Sequence, residues 1–321
     1  MMGLNRHHFF WLSLLGITLM LSSFSFQLYK AFDARWIIRF PKKYELPTEK
    51  WISVFLDWLV DSANFYFFTF RDITRAIASL IEWPYQFLRN LLIEGFQSGL
   101  GDQAVQYAPS LSWVAVITVV VAISYYASDW RLGALTGACF AYLAVFGQWQ
   151  SAMVTLASVL IAVPIGALGG LLLGIIAYKS RIVENCLRPI LDLMQTVPVF
   201  AYLVPVLILF GFGPVAALVA TVIYAMPPMV RVTIVALKTV PEEIKEAGKM
   251  VGCTDRQMMW KVLVPSASSS LMIGVNQVIM LTLNMVIIAS MIGAGGLGFD
   301  VLASLRRLDI GGGIEAGLAI V

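Results

Sequence analysis

Long runs without a charged residue are the feature that most limits what this chain can fold into. Asp, Glu, Lys and Arg are absent from 47 consecutive residues at 132–178 and from 38 residues at each of 193–230 and 262–299. Shorter uncharged runs occupy 103–128 and 7–29. A helix needs about 20 apolar residues to cross the ~30 Å hydrocarbon layer, so the longest run can hold two membrane spans.

The composition also favours membrane spans, and it excludes several functional classes. The chain is 59% hydrophobic and 13% charged, about half of the roughly 25% charged residues that soluble domains carry. A net charge of +3 is too balanced for a nucleic-acid binder. The two histidines are adjacent, His7 and His8, and the three cysteines fit no metal-ligand spacing. We therefore predict no metal site and no histidine-dependent catalytic triad.

Breaks rich in glycine and proline divide the runs into seven predicted spans. The spans are residues 9–29, 111–128, 132–146, 152–178, 190–210, 215–237 and 266–291. Helices are required because backbone groups in lipid must be hydrogen-bonded within their own segment. A final apolar stretch, 311–321, reaches only about half the necessary length and predicts a truncated last span. The expected fold class is an all-α, polytopic membrane protein.

The distribution of Lys and Arg between the loops predicts the orientation. With residues 231–261 in the cytoplasm, the inner loops contain 11 Lys and Arg, and the short outer loops contain two, as cytoplasmic loops are expected to be richer in positive charge. We expect a cytoplasmic tip and anchor span at 1–29, an external segment at 30–110 and a transmembrane domain at 111–321. A signal peptide is the alternative interpretation of the first span.

The external segment has two apolar stripes at helical spacing. They are formed by Ile52, Phe55, Leu56, Leu59 and Val60, and by Ile73, Ala76, Ile77, Leu80 and Ile81. Trp83 and Pro84 are expected to end the second helix. Such amphipathic helices are typical of a membrane interface or of the outside of a bundle. An outer scaffold is the simpler interpretation, and contact with a substrate is the alternative.

Two glycine patterns need separate interpretations. Residues 293–298 match G-x-G-x-x-G, but a spanning helix precedes them where a nucleotide site would need a strand, so we predict a close-packed loop. Gly166, Gly170 and Gly174 are four residues apart and favour close approach of helix backbones. The intramembrane prolines are expected to kink helices.

The lack of charge within the spans bears on the source of energy. Ion-coupled transporters and proton pumps carry ionisable residues at membrane depth, and the uncharged runs contain none. The chain also has no G-x-x-x-x-G-K-[ST] phosphate-binding loop. If the protein moves a solute uphill, we expect its energy to enter from outside the membrane.

One polar block, directly after the sixth predicted span, suggests a docking surface. Residues 238–261 contain nine charged residues in 24. Pro241 favours a helix start, Gly252 ends that helix, and Thr254 with Gln257 forms a capping box for a second helix that runs to Pro265. The pattern predicts a helix–turn–helix on the cytoplasmic surface.

The same block resembles a known family. Glu246, Ala247, Gly248 and Gly252, followed by V-x-V-P ending at Pro265, are similar to the E-A-A-x3-G-x9-I-x-L-P signature of ABC-importer permeases. Gly248 departs from the second alanine, and Val262 and Val264 depart from isoleucine and leucine. Further segments resemble the glycine betaine/proline branch: 191–198, 201–205, 226–231, 274–277 and 288–292.

The resemblance implies a type I importer permease with a MetI-like helix bundle in a bacterial plasma (inner) membrane. Two copies of the permease would form the pore, an external binding protein would deliver solute, and separate ABC ATPase subunits would bind ATP and Mg. The ATPase would dock on coupling helices at 239–264, where Glu246, Ala247, Gly248, Gly252 and Pro265 lie. This chain would bind no cofactor itself.

The family branch also implies a solute class. Its members carry glycine betaine, proline betaine, choline or related methylamines, and such cations are held by aromatic faces. Candidates for the translocation path are Met194, Gln195, Tyr202, Asn276 and Asn284, with simple helix packing as the alternative for each. An ion-gradient-driven transporter or channel, and a membrane scaffold without transport activity, are the other functional hypotheses.

Overall fold

The computed structural model describes residues 6–32, 44–58, 64–65, 68–98 and 105–320. The chain divides into two compact units, 1–62 and 63–321. Leu59 and Val60 of the first predicted stripe, and Val321 of the last predicted span, lie outside the described residues.

The first unit contains two described helices. Helix α1 (Arg6–Phe32) contains the first predicted span, and its apolar stretch Phe10–Gln27 is long enough to cross a membrane. Helix α2 (Thr48–Asp57) contains the first part of the predicted amphipathic stripe. Ile52 and Phe55 of that stripe are exposed in this unit.

The second unit is helical apart from two short antiparallel strand pairs. Strand β1 (Asn64–Phe65) pairs with β2 (Phe68–Thr69), and β3 (Phe96–Ser98) pairs with β4 (Val105–Ala108). The helices are α3 (Phe70–Arg89), α4 (Trp113–Ala127), α5 (Trp130–Val145), α6 (Trp149–Lys179), α7 (Arg181–Thr196), α8 (Val199–Phe210), α9 (Pro214–Lys238), α10 (Glu242–Met250), α11 (Ser268–Ser290), α12 (Leu297–Arg307) and α13 (Ile310–Ile320).

Four of the described helices, α1, α6, α9 and α11, are each long and apolar enough to span a membrane. Helices α4 and α5 have 15 and 16 residues, which at 1.5 Å per residue gives about 22–24 Å, short of the ~30 Å hydrocarbon layer. The all-α fold class is confirmed, whereas these two predicted spans are shorter than a full crossing.

The predicted span at 190–210 is not one continuous helix. Helices α7 and α8 occupy this region and are bent by 106° at the break between them. Val197 has an extended backbone (φ −68°, ψ 132°). Pro198 explains this conformation, because its ring disfavours a helical residue before it and it has no N–H to donate.

Helices α6, α9 and α11 pack together through glycines. A Cβ atom on Gly170 would lie 2.6 Å from the Cβ of Met229, and one on Gly174 would lie 2.5 Å from the Cβ of Thr233. Gly274 of α11 brings its backbone equally close to Met229, whose Sδ would be 2.6 Å from an added Cβ. The predicted close approach of helix backbones is therefore confirmed.

Helix α3 continues through Pro84, so the prediction that Trp83 and Pro84 end it is wrong. The helix begins with a capping box between Thr69 and Asp72 and extends to Arg89. Ile81 and Tyr85 are buried, 9% and 3% exposed, in the core that the helix shares with α6. This packing offsets the one hydrogen bond that a proline removes from a helix interior.

The glycine motif at 293–298 forms a close-packed loop, as predicted. Gly293, Gly295 and Gly296 all have positive φ angles. The backbone N–H of Leu297 donates to Oγ1 of the buried Thr155 at 2.9 Å. A Cβ on Gly296 would lie 2.5 Å from the same oxygen, which explains why glycine is needed there.

Candidate functional site

The predicted cytoplasmic block is built as two short helical segments joined by an elbow. Helix α10 starts directly after Pro241, with Glu242 and Glu243 in its first turn and Lys249 in its last. These charges oppose the partial charges of the helix ends and stabilise a short helix. The predicted first helix is confirmed.

Gly252 forms the elbow and Thr254 starts the second segment. Gly252 has a φ of +80°, a conformation that glycine adopts at little cost. The backbone N–H of Thr254 donates to Oε1 of Gln257 at 2.9 Å, and the N–H of Gln257 donates to Oγ1 of Thr254 at 3.4 Å. The predicted capping box is therefore present.

The second segment is irregular where one helix was predicted. It consists of a helical turn at Asp255–Gln257, a π-helical turn at Met258–Leu263 and a further turn at Val264–Ser266. Pro265 lies in that last turn and is exposed. Helix α11 begins two residues beyond Ser266, so the block leads directly into a membrane-spanning helix.

Gly248 explains how the two segments fit together. It is buried in α10, and an added Cβ would lie 2.7 Å from Cε and 3.0 Å from Sδ of Met258. The glycine that replaces the second alanine of the family signature therefore makes room for Met258. Met258 in turn packs with Ile244 on a core that includes Leu237 and Leu263, so the block is fixed to α9.

The exposed side of the block combines predicted docking residues with apolar residues that the sequence analysis missed. Glu246, Ala247 and Gly252 are all exposed. Met250 and Val251 are 83% and 84% exposed at the elbow. Two large apolar side chains beside a charged helix are typical of an interaction site, and their position directly before the elbow glycine is the signal that could have identified them.

One ion pair stabilises the first turn of α10. Lys245 Nζ donates to Oε2 of Glu242 at 2.9 Å. This hydrogen bond lowers the pKa of the Glu242 carboxyl and raises the pKa of the Lys245 ammonium group. Both groups therefore stay charged over the whole physiological pH range.

The candidate path residues fall into two groups. The hydroxyl of Tyr202 on α8 donates to the carbonyl oxygen of Met194 on α7, so these two residues meet at the break between the helices. Gln195 is exposed next to them. The ring of Tyr202 also lies edge-on to that of Tyr224 on α9, with centroids 6.2 Å apart. The sequence analysis missed Tyr224, although an aromatic residue three positions before a Pro-Pro pair is a possible signal.

Asn276 and Asn284 form the second group, on α11. Both side chains are exposed, as is Met280 between them, which is 59% exposed. Residues four apart share one face of a helix, so these three side chains form a mixed polar and apolar stripe. Among the described residues, no group of three or more His, Cys, Asp and Glu side chains could hold a metal ion.

The fold and the site thus define a polytopic helical membrane protein with a compact, partly apolar exposed block at 241–265. The family model for the binding-protein-dependent transport system inner membrane component matches residues 166–321, which include the whole block. The trimethylamine N-oxide transport system permease protein TmoV of Pelagibacter ubique (strain HTCC1062) is 40% identical, over 78% of this chain and 36% of the relative.

Two further relatives match over more of their own length. The glycine betaine/proline betaine transport system permease protein ProW of Escherichia coli (strain K12) is 37% identical, over 86% of this chain and 72% of the relative. The glycine betaine transport system permease protein OpuAB of Bacillus subtilis (strain 168) is 35% identical, over 86% of this chain and 90% of the relative. The chain belongs to the family of binding-protein-dependent transport system inner membrane components.

The chain spans less than half the length of the TmoV relatives, 36% of the one from Pelagibacter ubique and 45% of the one from Ruegeria pomeroyi (strain ATCC 700808 / DSM 15171 / DSS-3). Among solved structures, it is similar to an inward-facing form of the MetNI methionine ABC transporter. That similarity has a TM-score of 0.47 and 24% identity, and covers 54% of this chain and 87% of the other.

Proposed function

We propose that this chain is the permease subunit of an ATP-driven, binding-protein-dependent ABC importer for small osmolytes. The observation that carries the proposal is the block from α10 to Pro265. It lies within the matched family region, is fixed to the spanning helix α9, and presents Glu246 and Ala247 beside an exposed apolar elbow.

The partners follow from this role. A separate ABC ATPase, which binds ATP and Mg, docks on the coupling surface formed by Glu246, Ala247, Gly252 and Pro265, with the buried Gly248 behind it. An external binding protein delivers the solute, and a second copy of the chain completes the pore. Closure of the ATPase moves the coupling helices and switches the bundle between inward- and outward-facing states.

The solute class is small methylated or quaternary amines: glycine betaine, proline betaine, choline or related compounds. Relatives named for glycine betaine, proline betaine and trimethylamine N-oxide transport support this class. The Tyr202–Tyr224 pair also supports it, because aromatic faces attract such cations without a carboxylate. Met194, Gln195, Tyr202, Asn276 and Asn284 line the path in this proposal.

The experiment compares solute uptake by cells that carry the wild-type chain or a variant in place of the native copy. Glu246→Arg reverses a charge on the coupling surface, and Gly252→Trp forces a large side chain onto an elbow with positive φ. Each should lower uptake of radiolabelled glycine betaine by about tenfold or more, since a misplaced charge at an interface costs several kcal/mol. Asp129→Arg, a charge reversal at an exposed residue outside the block, should leave uptake unchanged.

Two outcomes would contradict the proposal. Wild-type uptake in both coupling-surface variants, at normal protein levels in the membrane, would remove the docking role. Uptake that survives ATP depletion but collapses when an ionophore abolishes the ion gradient would favour the alternative, a secondary transporter or channel.

A further inference from the structure

We propose that two ion pairs clasp α7 to the C-terminal half of α9, so that α7 moves with α9 when the coupling helices move. This inference rests on the proposed function and assigns it a positioning device. The clasp consists of Glu184 with Lys238 and of Asp192 with Arg231.

The first ion pair lies next to the coupling block. Glu184 is only 9% exposed, and its Oε1 accepts from Nζ of Lys238 at 2.6 Å and from Nη2 of Arg188 at 3.1 Å. Lys238 is the last residue of α9, three residues before Pro241, after which α10 begins. A shift of α10 therefore acts directly on this ion pair.

The second ion pair lies closer to the helix break. The guanidinium of Arg231 on α9 donates to Oδ1 of Asp192 on α7. Between the two pairs, Leu191 and Ile234 are buried in a small apolar cluster. A cavity of about 320 Å³ is lined by both pairs, so side-chain packing alone does not fill this contact.

Two ion pairs restrict the movement of α7 relative to α9 more than a single ion pair would. Glu184 and Asp192 are eight residues apart, and Arg231 and Lys238 are seven apart, so the pairs are separated by about 10–12 Å along each helix. With one pair, α7 could rotate about the attachment point. With two, the angle of α7 to α9 is restricted as well as its distance from α9.

The clasp thereby connects the coupling block to the candidate path. Asp192 lies two residues before Met194, whose carbonyl oxygen accepts the hydroxyl hydrogen of Tyr202 across the 106° break. Movement of α9 is carried by α7 to this break. Glu184, Asp192, Arg231 and Lys238 are therefore positioning residues.

The test uses the full chain in its native host, with each variant replacing the native copy so that the native partners are present. Asp192→Arg and Arg231→Asp each place like charges opposite one another and should lower ATP-dependent uptake of glycine betaine by about tenfold, within the usual range of coupling effects. The double variant Asp192→Arg/Arg231→Asp restores opposite charges and should recover uptake to within about twofold of wild type.

A second measurement separates positioning from simple loss of structure. In proteoliposomes containing the complex purified through this chain, the single variants should hydrolyse more ATP for each glycine betaine imported, because the coupling surface itself is unchanged. Glu184→Gln, which keeps the size of the side chain and removes its charge, should raise this ratio in the same way. Asp129→Arg should not change it.

The outcomes are distinct. An unchanged ratio in Glu184→Gln and in both single reversals, or a double variant as impaired as the single variants, would overturn the clasp while leaving the proposed function in place. Absence of ATP-dependent glycine betaine uptake by the wild-type chain would overturn the proposed function and the clasp together.

Discussion

At the scale of single residues, several glycines act through the space that they leave to one particular neighbour. Gly174 admits the β-branched Thr233, which is fully buried, and Gly248 admits the flexible end of Met258. The two cases differ physically. A methionine tip can move aside when a methyl group is added, whereas the Cβ of a threonine moves only with its backbone.

We expect Gly174→Ala to be destabilising. The new Cβ would lie 2.5 Å from the Cβ of Thr233 and 3.0 Å from the carbonyl oxygen of Val230, so α6 and α9 must separate, at a cost of about 1–3 kcal/mol. The measurement is the thermal unfolding midpoint of the purified chain in detergent. Gly317→Ala is the control, since nothing lies within 4 Å of its added Cβ. Equal midpoints for the two variants would contradict the expected clash.

At the scale of elements, some helix ends are fixed by residues nearby in the sequence and others by residues far away in the sequence. The second segment of the coupling block starts with a reciprocal capping box between Thr254 and Gln257. Both partners lie within one helical turn, so the element carries its own start signal.

Thr254→Ala removes one of these hydrogen bonds and should loosen the first turn. Loss of a capping side chain costs about 1 kcal/mol, so we expect amide hydrogen exchange at 255–258 to accelerate by about fivefold. Mass spectrometry of the exchanged peptides measures this rate. Thr254→Ser retains the hydroxyl and should exchange like wild type; if it exchanged as fast as the alanine variant, the cap would not be the cause.

This contrast explains which parts of the fold the sequence could predict. The capping box, the elbow at Gly252 and the glycine face of α6 depend on residues close together in sequence, and all three were predicted. A kink at Pro198 was expected but a break of 106° was not, because proline alone does not decide the outcome: Pro84 and Pro227 both lie inside continuous helices.

The break at Pro198 lies close to a long-range contact. Helix α7 is tied to α9 by Asp192 and Arg231, 39 residues apart in sequence, and no local pattern reveals that pairing. Likewise, the contact between Tyr202 and Tyr224 could not be inferred from either residue alone. The two groups of candidate path residues were named from the sequence, but their arrangement required the structure.

At the scale of the whole molecule, charges are separated from the long apolar helices. Helix α11 carries no charged residue, and α6 carries only Lys179, its last. The charged residues of 238–261 gather at one end of α9. This separation places the block at one surface of the bundle, and the excess of Lys and Arg in the inner loops predicts that this surface faces the cytoplasm.

Cysteine labelling tests that orientation. In a chain whose native cysteines, Cys139, Cys186 and Cys253, are replaced by serine, Asp255→Cys should react with a membrane-impermeant maleimide only after the cells are opened. Arg306→Cys should react in cells whose outer membrane is permeabilised and whose inner membrane is intact. Both sites are exposed, so access to the reagent is limited only by the membrane. The reverse pattern would invert the assigned topology.

The hydrogen bond from the backbone N–H of Leu297 to Thr155 affects the order in which parts of the chain fold. It joins residues 142 positions apart. The first N–H groups of a helix have no acceptor within that helix, and Thr155 supplies one for Leu297 at the start of α12. During synthesis, α6 emerges long before α12. The late helix therefore gains this hydrogen bond at its first turn only against an early helix that is already in place.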